Sequence, residues 1–235
     1  MRILDNVNQT VNDDLAVTVS KGDKLSIIAS CFSMYAYQAL KKQLEEIEEL
    51  RFVFNSPTFL KEKVSKEKRE FYIPRLNREH SLYGTEFEVK LRNEMSQKAV
   101  ARECAEWIRK KVRFRSNITG GSIGGFISVV KPFETIAYTP VNSFTTSDLG
   151  CDRGNNVMNL VNRIDAPLAN EYIKRFDQIW NDKTLLQDIT EQVIDGITAA
   201  YNENAPEFIY FLAIYNIFNE FLEDISEDVL PNEAT

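Results

Sequence analysis

Between residues 24 and 54 the hydrophobic pattern changes its period twice. Lys24-Leu25-Ser26-Ile27-Ile28-Ala29-Ser30-Cys31-Phe32 is a nearly continuous apolar run, which predicts a strand buried on both faces. After Ser33, the residues Met34, Tyr35, Ala36, Leu40, Leu44 and Ile47 recur at helical spacing, with Lys41, Lys42, Glu45, Glu46, Glu48 and Glu49 opposite them. Leu50-Arg51-Phe52-Val53-Phe54 is a second short strand, ended by Asn55-Ser56-Pro57. Together they predict a β-α-β unit with parallel strands and a right-handed crossover.

The flanking segments are less regular. Residues 1–14 carry no sustained period and read as loose. Residues 58–83 are dense in charge with scattered apolar positions, which reads as an insertion with short helical pieces. From Thr85 a long helix is predicted by Phe87, Leu91, Met95, Ala99, Cys104, Ile108 and Val112, with Trp107 beside the stripe. Asn117 to Gly125 is glycine-rich and reads as a flexible connection. Phe126-Ile127-Ser128-Val129-Val130 and Thr135-Ile136-Ala137-Tyr138 predict a hairpin-like pair across Lys131-Pro132-Phe133-Glu134.

The last third predicts helices. Asp165 with Pro167 would open the first, and Asp182 would cap a second with the stripe Leu186, Ile189, Val193 and Ile197. Asn204-Ala205-Pro206 would open a third, with Phe208, Phe211, Leu212, Tyr215, Phe218, Leu222 and Ile225 inward. The expected fold is α/β with a mixed, mainly parallel sheet and flanking helices over residues 1–164, and an all-helical extension over 165–235.

Composition narrows the chemistry. Three cysteines (Cys31, Cys104, Cys151) form no metal spacing, and His80 is the single histidine, so zinc and Cys/His catalysis are not expected. Neither an apolar signal nor a membrane span is evident, which leads to an expectation of a cytoplasmic chain with no membrane partner. The net charge of −7 is unevenly placed. Residues 61–115 hold 16 Lys/Arg against 9 Asp/Glu, and residues 165–235 hold 3 against 15. The first region could hold phosphate; the second would repel it. The glycines at 120–125 match neither dinucleotide nor P-loop spacing, so no cofactor is expected.

The most informative stretch is the strand followed by Asn142-Ser143-Phe144-Thr145-Thr146-Ser147-Asp148-Leu149-Gly150. A hydroxyl-rich turn at a strand end suits either ligand binding or helix capping. This element resembles the G-S-x-N-F-T-x-x-G-L element of the phospholipase D superfamily, and residues 24–54 resemble that superfamily's opening. The helix with Ala101 to Arg109 and the ending Tyr215 to Ile225 resemble the N-terminal phospholipase-D-like domain of prokaryotic Snf2-type helicases. The resemblance implies a helicase core beyond Thr235 as partner and an ATP-binding parent chain.

Nucleases of that superfamily use H-x-K-x-x-x-x-D, one His attacking the phosphodiester and another protonating the leaving group. Here no H-x-K occurs. Lys131 could fill the lysine position, but Val129 then stands in place of the His. Three readings follow. The first is a degenerate, non-cleaving domain of an ATP-driven motor that contacts DNA through Lys98, Arg102, Arg109, Lys110, Lys111, Arg113 and Arg115, with Asn142, Ser143 and Thr145 as a phosphate-holding remnant. The second is an active phosphodiesterase or nuclease with a reorganised site, Ser143 or Thr145 as nucleophile and Lys131 as its activator. The third is a homodimerisation module, since one repeat per chain would pair its sites across a twofold axis.

Overall fold

The computed structural model describes residues 1–55, 86–119, 121, 123–151 and 159–202. The insertion at 58–83, His80, Asn204 to Pro206, the helix expected over 206–225, the ending Tyr215 to Ile225 and the stop at Thr235 lie outside them. The chain divides into two compact units. One comprises Met1–Lys66 with Val100–Ile197, and the other Glu67–Ala99 with Thr198–Thr235. Of the second, the described part is helical backbone at the start of one long helix and the end of another.

The apolar run at 24–32 becomes β2 (Lys24–Ala29), preceded by β1 (Arg2–Leu4) and α1 (Val11–Thr18). The segment read as loose is therefore structured. Asp5 accepts the backbone N–H groups of Gln9, Val7 and Asn8 at 3.0, 3.0 and 2.8 Å, which hold its carboxyl well below the usual carboxylate range. Thr10 caps α1 by accepting the N–H of Asp13 at 3.0 Å. The crossover helix after β2 is split into α2 (Met34–Ala39) and α3 (Lys41–Leu44), and β3 (Glu49–Phe54) follows parallel to β2 as expected.

The long helix is α4 (Glu86–Lys111), which runs straight into β4 (Val112–Asn117). The hairpin is β5 (Phe126–Val130) with β6 (Thr135–Thr139). Then come β7 (Val161–Asp165), α5 (Leu168–Asn181), β8 (Leu186–Asp188) and α6 (Thr190–Asn202). The eight strands form one sheet in the order β1-β7-β6-β5-β2-β3-β4-β8.

The sheet is mixed but not mainly parallel. Among the strands of the described residues, β2–β3 and β3–β4 pair parallel and the other five pairings are antiparallel. A parallel neighbour requires a crossover, which the α2–α3 and α4 segments supply; β5 and β6 reverse across the four-residue turn 131–134, and the other antiparallel pairs join strands well separated in the chain. The 165–235 segment is not all-helical either. Leu186 begins an edge strand paired with β4, and the helix starts at Thr190, whose N–H is accepted by Asp188 at 3.0 Å. Asp165 ends β7 rather than capping α5, whose first turn follows Pro167. Asp182 closes α5 instead of opening α6. Residues up to Ile197 share one compact unit with the sheet, so the segment boundary drawn at 164 falls inside that unit.

Alternation along each strand sorts the sheet into two covered faces. Leu25, Ile27, Phe52, Phe114, Val129 and Tyr138 point to one face, buried with Leu15 of α1, Tyr37 of α2, Leu44 of α3, Trp107 of α4 and Val193 of α6. Trp107 stacks on Tyr37 at 4.8 Å and donates its indole N–H to Leu44 O at 2.8 Å. This satisfies the polar atom of a buried aromatic. Ile28, Val53 and Phe126 point to the other face, where α5 covers them with Phe176 and Trp180. No described helix is long and apolar enough to cross a membrane.

Candidate functional site

The hydroxyl-rich turn lies where the sequence places it, past the C-terminal ends of β2 and β6. Ser30 donates both its N–H and its Oγ to Asn142 O at 2.9 Å, Phe144 N–H donates to Cys31 O at 2.8 Å, and Ser33 N–H donates to Phe144 O at 3.0 Å. The turn is thus laced along residues 30–33, with Phe144 fully buried and stacked on Phe32 at 5.8 Å. Asn142 itself is exposed.

The polar atoms of the turn are engaged by one another. Asp148 Oδ2 accepts the Ser143 N–H and the Ser143 Oγ, each at 2.8 Å. Ser143 Oγ and Thr145 Oγ1 lie 2.8 Å apart, and Thr145 Oγ1 accepts the Asp148 N–H at 3.3 Å. Asn6 Nδ2 reaches the Asp148 carbonyl at 2.7 Å, which ties the turn to the start of α1. Gly150 ends the turn at φ +77°, where a Cβ would meet Asn6 Oδ1 and Thr10 Cβ at 2.9 Å. A serine whose hydroxyl donates to a carboxylate resembles a nucleophile with its base only superficially. Here the same carboxylate also holds the serine's own N–H, which closes a turn.

Lys131 is not in this neighbourhood. It follows β5 at the end where Val130 pairs with Lys24, the first residue of β2. There its Nζ ion-pairs with the buried Asp23 at 3.1 Å and donates to Ser20 Oγ at 3.2 Å. Ser143 sits past the last residue of β2, so about the length of a six-residue strand, roughly 20 Å, separates the two. The pairing of Ser143 with Lys131 is therefore corrected by the sheet register. Val129 is a core residue, with 0% exposure.

The basic residues fall into two groups. Lys111 donates to Glu45 O and Ile47 O, Arg115 donates to Trp180 O and lies 4.4 Å from the Trp180 ring centre, and Arg102 pairs with Glu106 at 3.2 Å. These three serve the fold or each other. Lys98 lies on α4 in the other unit. Arg109, Lys110 and Arg113 are exposed around the junction of α4 and β4. Arg109 and Arg113 also line a polar hollow of about 280 Å³ with Asp188, Thr190 and Glu191, and those carboxylates lower the local field. Arg51, which was not singled out in the sequence, resembles Arg115 in its surroundings. It lies over Phe176 and Trp180 at 5.0 and 5.6 Å and pairs with Asp177 at 2.8 Å. Its alternation with apolar neighbours on β3 was the available signal.

The second concavity is a cleft of about 680 Å³ beside α5, lined mainly by apolar side chains, with Glu171 and Arg175 also on it. One wall is the glycine connection. Asn117 clamps this connection: its Nδ2 donates to Asn55 O at 3.1 Å and to Gly121 O at 2.7 Å, and its Oδ1 accepts the Thr119 N–H at 2.9 Å. The described part of the segment read as a flexible link is thus hydrogen-bonded to the sheet ends. Among the described residues, no group of three or more His, Cys, Asp or Glu is placed to hold a metal ion. No family model matches this chain, and no curated protein matches it in sequence.

Proposed function

We propose that this chain is a non-cleaving, phospholipase-D-like accessory domain of a Snf2-type motor, which holds DNA by its phosphates at the α4–β4 junction. The observation that carries the reading is the grouping of Arg109, Lys110 and Arg113, all exposed, within five residues of one another. Cations in a last helical turn also complement the helix dipole, by about 0.3–1 kcal/mol, so their position on α4 alone assigns nothing. Arg113 belongs to the strand, beyond that explanation. Guanidinium groups favour phosphate oxygens through paired N–H donors.

The lack of cleavage follows from the state of the turn. A phosphodiester would need a nucleophile and a proton donor for the leaving group. Ser143 and Thr145 are held by Asp148 and by each other, and Lys131 is at the far end of β2. Phosphate contact with no free reacting group in the described turn favours binding as the activity.

Incubating the 235-residue chain with end-labelled DNA at low salt tests both halves. Retained, full-length DNA is expected, and Ser143→Ala should leave retention and DNA length unchanged. Cutting that disappears in Ser143→Ala would establish the nuclease reading instead. No retention of either single-stranded or duplex DNA would sink the DNA assignment.

A further inference from the structure

We propose that the cleft beside α5 binds one nucleotide unit, with its base in the apolar interior and its phosphate on Arg175; this rests on the nucleic-acid reading above. The cleft's volume of about 680 Å³ lies within the range of small-molecule sites. Its place also fits. Ile28 comes just before the end of β2, Phe126 is the first residue of β5, and Thr139 is the last of β6. The cleft thus opens at the carboxyl end of β2, on the side where open α/β sheets take ligands.

Its chemistry is divided as a nucleotide is. The interior is apolar and aromatic: Ile28, Phe126, Tyr172 and Ile179, with Tyr172 half-buried and edge-on to Phe126 at 5.3 Å. Glu171 and Arg175 are four residues apart on α5, hence on one face of the helix, and both are exposed. Arg175 gives one N–H to Gln178 Oε1 at 3.0 Å, which leaves guanidinium donors for a phosphate. Glu171 can accept from the amino group of a base. An acyl chain would use the apolar wall but neither Arg175 nor Glu171, whose carboxylate lies 3.8 Å from Lys174 Nζ.

Gly124 supplies the means of entry. A Cβ there would meet nothing within 4 Å, so its lack of a side chain is not required by packing. The absent side chain leaves cleft volume free and the main chain uncovered.

A base can enter only when it is not stacked in a duplex. The chain should therefore bind a short single strand tighter than the same sequence annealed, by about tenfold, the scale of one base on an aromatic platform. Fluorescence anisotropy at fixed salt reads this ratio. Gly124→Leu adds a bulky side chain to the exposed lining of the cleft and should bring the ratio close to one while duplex binding persists. Arg175→Glu, on the surface, should lower it similarly and decides the matter if Gly124→Leu does not fold. Adenosine monophosphate should protect the wild type, but not Arg175→Glu, in a thermal shift assay if the site also takes the free nucleotide; protection of neither confines the site to nucleotides within a strand. A single-strand preference unchanged by both variants, or no preference at all, overturns the cleft site and leaves the α4–β4 contact standing. Failure to bind either form removes the nucleic-acid reading itself.

Discussion

Replacing Gly125 with alanine is expected to destabilise the chain by about 3 kcal/mol or more, enough to leave much of it unfolded. A Cβ at this position would lie 1.9 Å from Val141 O and 3.1 Å from Ile28 O. The obstacle is main chain, which cannot rotate away as a side-chain tip can. It is also held in place, because Val141 N–H donates to Gly125 O at 3.1 Å. Alanine must therefore push the start of β5 away from the exit of β6, breaking that bond and loosening the anchorage of the hydroxyl-rich turn. Gly124→Ala is the matched control, since a Cβ there is in open space; it should change stability by no more than about 1 kcal/mol. Urea unfolding followed by tryptophan fluorescence measures both. A cost for Gly125→Ala no larger than that for Gly124→Ala would show that the close approach is not a constraint.

Asp14→Ala is expected to cost about 3–5 kcal/mol, because it strands charge inside the protein. Asp14 is 7% exposed on α1 and receives the hydroxyl of the fully buried Tyr138 at 2.8 Å. It also pairs with Arg163 Nε at 3.0 Å and with Arg2. The Arg163 Nε contact with Asp14 is an ion pair rather than a hydrogen bond. Removing the carboxylate leaves Arg163, 21% exposed, with Asp165 at 2.8 Å and the Tyr138 hydroxyl. Burial first, then the bond to Asp14, raises the Tyr138 hydroxyl above its ordinary range. Its contribution is therefore present at neutral pH and is lost only as pH rises through that raised value. Tyr138→Phe removes the hydroxyl with its hydrogen bonds to Asp14 and Thr18 and should cost about 1–2 kcal/mol. Thermal unfolding should rank Asp14→Ala far below Tyr138→Phe, with a drop of roughly 10 °C. Equal effects would show that the ion pairs contribute nothing beyond the hydroxyl.

These two positions also show what the sequence could and could not convey. The β2–β3 crossover, the β5–β6 hairpin and α4 were legible, because each of their segments carries a recognisable hydrophobic pattern. β4 was not, because it follows α4 with no breaker, and Arg115 in it is a polar residue packed on an aromatic ring. β7 hid for a related reason: Arg163, its central residue, faces a buried carboxylate supplied by α1. Such a partner is remote in sequence, so a charged residue in a strand reads as loop. The direction of pairs that are distant in the chain, such as β2–β5 and β1–β7, was equally beyond reach, since pairing depends on which strands meet rather than on their composition.

At the candidate site, residue types were readable and geometry was not. Asn142, Ser143 and Thr145 do gather at the end of β2, as the strand-then-turn pattern suggested. Lys131 and Ser143 looked joinable because they are only twelve positions apart in the chain. A hairpin intervenes and returns the chain along the sheet, so they end at opposite edges. Gly125 was read as freedom because glycine pairs mark turns, whereas contact with another strand makes it a steric requirement.

The central claim concerns phosphate contact by Arg109, Lys110 and Arg113, and its most direct test is the salt dependence of DNA affinity. For wild type, log K against log salt should fall steeply. Reversing all three charges, as Arg109→Glu, Lys110→Glu and Arg113→Glu together, should flatten the slope by about 2 to 3, close to one for each phosphate contact removed. Parallel lines of equal slope for the two proteins would contradict the account.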